Sequence, residues 1–171
     1  MIVGAPQLAG LGERLGETFM PKLTRKVRFL NAQDPQVLAR SLDDLNAGGV
    51  VSTLLEMSPV KFQKTTQIRF LDWDISVPYG VSYLSAATGR SIVPALITRE
   101  AGPRFRLRFC EALPAPSRDR ASIFENTQQL YDLLGRKVLE FLEQWIGWLL
   151  LGSHMGIDLG TKTTQEVPAL S

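Results

Sequence analysis

Residues 34–55 read DPQVLARSLDDLNAGGVVSTLL, and the fold class follows from them. Asp34-Pro35 opens a helix, because aspartate caps and proline suits the first helical position, where no N–H is needed. Val37, Leu38, Ser41, Leu42 and Leu45 then recur at helical spacing. Asn46-Ala47-Gly48-Gly49 closes the helix, since glycine accepts the left-handed conformation of a helix end. Residues 50–55 are a continuous apolar run with β-branched members. A strand covered on both faces reads this way, and such strands are mostly parallel. A helix that runs at once into such a strand predicts an α/β chain.

The same reasoning extends in both directions. Upstream, residues 26–30 (KVRFL) alternate as a strand does. Residues 1–24 are glycine-rich and weakly patterned, with a short helix at 11–19. Downstream, residues 66–71 (TQIRFL) alternate, Asp72-Trp73-Asp74 reads as a turn, and residues 75–77 return as the second strand of a hairpin. Residues 78–89 (PYGVSYLSAATG) form a helix opened by proline and closed by glycine. Its small residues suit either tight helix-on-sheet packing or the approach of an acyl chain. Residues 91–98 (SIVPALIT) and 104–110 (RFRLRFC) pair through an Ala101-Gly102-Pro103 turn. In the second of these, Phe105, Leu107 and Phe109 share one face and arginines the other; Cys110 sits at the strand end. A long helix follows over residues 120–150, with Leu130, Leu134, Val138, Phe141, Trp145 and Leu149 as its apolar stripe. The expected architecture is a mixed sheet flanked by helices over residues 25–150, with a tail at 151–171.

Composition narrows the chemistry. The chain has 171 residues, 44% hydrophobic and 21% charged, with a net charge of +2. Such a chain is globular rather than disordered and too weakly basic to argue for nucleic acid. One cysteine excludes a disulfide framework, and one histidine, His154, excludes a multi-histidine metal site. No metal or cofactor is expected. The charge is banded: residues 99–120 carry six basic against three acidic groups. A basic band suits either anionic headgroups or plain solvation. No stretch reaches the roughly 18–20 apolar residues of a membrane span. The expectation is a cytoplasmic or peripheral chain.

Three elements then carry a resemblance. They are Leu45…Gly48-Gly49…Val51, the succession Leu84-Ser85-Ala86-Ala87-Thr88-Gly89…Ile92-Val93-Pro94, and Glu143-Gln144-Trp145…Trp148. Their order resembles the C-terminal half of the bacterial lipid A biosynthesis lauroyl/myristoyl acyltransferases, of the lysophospholipid acyltransferase-like superfamily. The resemblance covers about residues 25–150. It implies a partial acyltransferase-like fold with a long C-terminal helix, on the inner face of the cytoplasmic membrane. It implies acyl transfer from an acyl-carrier-protein or coenzyme A thioester to a lipid hydroxyl. The family's general base lies in a His-x4-Asp/Glu motif upstream of the matched region, and this chain has no histidine before His154. His154-Met155-Gly156-Ile157-Asp158 has a spacing of three and reads as a tail. The chain is therefore expected to be inactive alone, as a fragment or a shortened lipid-binding relative.

The candidate substrate-binding residues are Glu56 and Ser58 at the end of the apolar strand, Arg69, Gly80 and Tyr83. Glu56 also suits a turn carboxylate, and Gly80 and Tyr83 also suit packing. Arg104, Arg106, Arg108, Trp145 and Trp148 are the candidate membrane or headgroup contacts.

Overall fold

The computed structural model describes residues 2–4, 29–31, 34–55 and 64–145. Three strands form a parallel sheet: β1 (Ile2–Gly4), β2 (Phe29–Asn31) and β3 (Ser52–Thr53), in the order β2-β1-β3. Helix α1 (Val37–Asn46) connects β2 to β3 and carries the chain across β1. The parallel orientation expected of residues 50–55 is present, but the strand is only two residues long and the expected burial on both faces is not: Val50 is 75% and Leu54 56% exposed. The central strand β1 lies in the segment that sequence patterning left without a strand. Three residues are too few for alternation to register.

Asp34 acts one step earlier than a helix cap. Its Oδ1 accepts from Gln36 N at 2.8 Å and its carbonyl from Val37 N at 2.9 Å, so it closes a turn before α1. At the other end Gly48 has φ +86°, and a Cβ on Gly49 would sit 2.8 Å from the Asp44 carbonyl oxygen. That approach is closer than real Cβ atoms make, so the turn needs glycine there.

The first hairpin joins β4 (Thr65–Phe70) to β5 (Trp73–Pro78). Its loop is Leu71-Asp72 alone; Trp73 and Asp74, read as turn residues from the sequence, lie in β5. Two-residue hairpin loops need positive φ, and here Leu71 takes it at 54°. A bulky side chain in that region is strained unless its surroundings hold it. Leu71 packs on the core beside Gly135, whose missing side chain leaves room for it.

Helix α2 (Gly80–Thr88) ends on Gly89 at φ 70°. A second hairpin follows, β6 (Ala95–Arg99) and β7 (Phe105–Phe109). Helix α3 (Arg120–Glu140) then runs into a short 3-10 turn, Leu142–Gln144. The helix expected over 120–150 thus breaks at Phe141, where φ is −133° and ψ 47°. Among the described residues the expected single mixed sheet is instead one parallel sheet and two separate hairpins.

Alternation decides the core. Ile68 and Phe70 of β4 and Ile75 and Val77 of β5 face α3, where Leu130, Tyr131, Leu134 and Val138 meet them at helical spacing. The Tyr131 hydroxyl donates to the Leu55 carbonyl at 2.8 Å, which fastens the end of β3 to α3. Two buried hydroxyls join α2 to α3: Thr127 Oγ1 lies 2.9 Å from Ser82 Oγ and 2.8 Å from the Ile123 carbonyl oxygen. Thr127 has one proton, so it donates to the carbonyl and accepts from Ser82.

Asp119 caps α3. Hydrogen bonds from the Ser117 hydroxyl, and from the Ser122 N–H and hydroxyl, hold its carboxyl well below the usual carboxylate range. A carboxylate whose folded pKa is depressed stabilises above its unfolded pKa, and the benefit is lost as pH falls through the folded value. Asp119→Ala is therefore expected to lower stability at neutral pH. In denaturant titrations the gap to the parent chain should narrow below about pH 4, where an unfolded aspartate takes up its proton.

Candidate functional site

The alternation of residues 104–110 becomes a two-faced hairpin. Ala95, Ile97 and Arg99 of β6 stand opposite Phe109, Leu107 and Phe105 of β7, so all six side chains share one face. That face is open: Ile97 is 69% exposed, Phe105 68%, Leu107 54% and Phe109 70%. Folded chains seldom leave four large apolar side chains together in water. Gly102 takes φ +73° in the turn beyond.

The opposite face carries Leu96 and buried Thr98, with Arg106 and Arg108. Neither arginine is a free cation. Arg106 pairs with Glu100, and Arg108 lies 3.8 Å from Glu140 and 5.7 Å from the centre of the Phe141 ring. The basic band seen in sequence is thus partly neutralised by carboxylates from the hairpin turn and from α3. Arg104, at the turn, has no ion pair among the described residues.

Two glutamines hold the outer edges of the two hairpins. Arg69 N donates to Gln128 Oε1 at 2.9 Å, and Gln128 Nε2 returns a bond to the Arg69 carbonyl. Arg99 N donates to Gln144 Oε1 at 2.7 Å, and Gln144 Nε2 donates to the Arg99 carbonyl at 3.2 Å. Each side-chain amide stands in for one residue of a neighbouring strand. Ile97, Arg99, Glu100, Phe105, Glu143 and Gln144 line an open cleft of about 510 Å³ at this junction.

The candidate residues do not converge. Arg69 is on β4, exposed, and 3.8 and 3.9 Å from Asp72 and Asp74, which accounts for its charge. Gly80 and Tyr83 lie one turn apart on α2; a Cβ on Gly80 would meet nothing within 4 Å, so no close approach there requires glycine. Trp145 packs on Phe70, ring centroids 5.4 Å apart, at the edge of the core. Glu56, Ser58, Trp148 and His154 lie outside the described residues. No group of three or more His, Cys, Asp or Glu among the described residues is placed to hold a metal.

Sequence reading missed Gln128, Gln144 and Ile97. A glutamine that binds a strand edge carries no local signature, because its partner is 59 or 45 residues away. The chain matches no family model, and no curated protein matches it. No described helix is long and apolar enough to cross a membrane.

Proposed function

We propose that this chain is an acyltransferase-like α/β unit that handles the lipid side of acyl transfer and does not itself supply the general base. The observation that carries the reading is the open apolar face of β6 and β7, with Arg99 at its turn end and Arg104 in the adjoining turn. Phenylalanine, leucine and isoleucine side chains on a flat two-stranded surface suit acyl chains, and guanidinium groups at one end suit phosphate headgroups. In this reading the donor is an acyl thioester, on a carrier protein or coenzyme A, and the acceptor a lipid hydroxyl at the inner face of the cytoplasmic membrane. The sequence order of the Gly48-Gly49, Thr88-Gly89 and Gln144-Trp145 elements supports the family. The absence of histidine before His154 supports a non-catalytic role for the chain alone.

Vesicles of phosphatidylethanolamine and phosphatidylglycerol test it. The full chain is expected to float with them, and Phe105→Ser with Phe109→Ser to reduce partitioning by at least about tenfold, from the apolar area withdrawn. The same sample should not acylate a lipid acceptor from acyl-coenzyme A. Partitioning unchanged in the double variant would refute the lipid surface; turnover would refute the non-catalytic role.

A further inference from the structure

Among the described residues the outer edge of β7 is unpaired, and its sequence is self-complementary. Cys110 N donates to the Pro94 carbonyl at 2.8 Å and Glu100 N to the Arg104 carbonyl at 2.9 Å. These bonds set the phase of the hairpin ladder. Residues 104, 106, 108 and 110 turn their main-chain groups toward β6, and residues 105, 107 and 109 turn theirs outward. The same phase on β6 presents Arg99 to Gln144. Among the described residues no glutamine does this for β7, and none of them meets the outer main-chain groups of Phe105, Leu107 and Phe109.

An open, apolar strand edge invites another strand. Residues 105–109 read FRLRF, the same in both directions. We propose that two copies of this chain associate through β7, antiparallel about a two-fold axis at Leu107, to form a continuous four-stranded sheet. In that register Leu107 faces Leu107 of the second copy, and Phe105 faces Phe109 of the second copy. All of these residues have outward-turned groups, so each pair exchanges two N–H···O bonds. Two phenylalanine cross-strand pairs form on the open face. Arginines on an edge strand normally repel a like copy. Here Arg106 pairs with Glu100, and Arg108 shares Glu140 with Lys137, so that protection is partly offset. The pairing would double the apolar face, yet it stands on the strand edge and not on the lipid reading.

Sedimentation of the full chain at about 100 µM suits an interface this small. A dimer is expected. Leu107→Pro removes only an outward N–H and leaves the ladder to β6 intact. It should weaken the dimer about tenfold to a hundredfold, through two lost hydrogen bonds. In a Cys110→Ala background, Leu107→Cys should cross-link between copies, because facing Cα atoms are about 5.5 Å apart. Phe109→Cys should not, because its two copies are about 13 Å apart along the strands. A monomeric parent chain, a dimer indifferent to Leu107→Pro in a folded variant, or equal cross-linking at 107 and 109 would each overturn the proposal. The cross-links decide it even if the proline variant unfolds.

Discussion

Phe70→Ala is expected to lower the unfolding free energy by about 3–5 kcal/mol, enough to remove a large share of a domain's stability. Phe70 is 1% exposed and meets both α3 and the chain just beyond the 3-10 turn. It packs edge-on to Tyr131 of α3 at 6.0 Å, against Trp145 at 5.4 Å, and beside Gly135. The contact with Trp145 anchors the chain just after the 3-10 turn, next to Gln144. Loss of the ring should therefore loosen Gln144 from Arg99 as well as open a cavity. Urea titration by circular dichroism measures the first effect. Faster amide exchange at Arg99 than at Arg69, whose partner Gln128 sits on α3, would measure the second. A cost below about 1 kcal/mol would mean that the site collapses around the missing ring and that Phe70 does not join these elements.

Gly135 should respond to size with a change of sign. A Cβ there would meet Leu71 Cδ2 at 3.5 Å and Phe70 Cε2 at 3.6 Å, ordinary contact distances. Gly135→Ala is thus expected to stabilise by about 0.5–1 kcal/mol, since alanine restricts the unfolded chain and favours the helix. Gly135→Leu has no room for its further atoms, because the Leu71 side chain fills the space opposite. It should cost about 1–3 kcal/mol through overpacking, despite its better helix propensity. The cost has a second route. Leu71 keeps a positive φ because its side chain is seated against α3. Displacing that side chain removes what offsets the strain. Leu71→Gly in the Gly135→Leu background should therefore recover part of the loss. Midpoints from thermal and urea unfolding measure all three variants.

The residues behind the family resemblance have structural work of their own. Gly49 lies where Asp44 leaves no space for a Cβ, Gly89 ends α2 with positive φ, Gln144 covers the edge of β6, and Trp145 leans on Phe70. They speak to how the chain folds rather than to a reaction, which a fold alone does not determine. Those of the expected site residues that are described are spread over β4, α2, the second hairpin and the chain after the 3-10 turn.

Sequence alone determined the elements whose signal is local. Helices α1 and α2, the two hairpins and the alternation of residues 66–71 follow from side-chain periodicity and from the turns that bound them. It also showed which face of β7 is apolar, because alternation assigns faces without reference to partners. Only the tertiary structure decided that this face stays open, that Arg106 and Arg108 lie beside carboxylates, and that glutamines occupy two strand edges. It alone placed Ile2–Gly4 between β2 and β3 and stopped α3 at Phe141. Burial and pairing depend on what comes near from elsewhere in the chain. Backbone hydrogen bonds at a strand edge are made by groups that every residue has, so the sequence of the edge does not say whether they are filled.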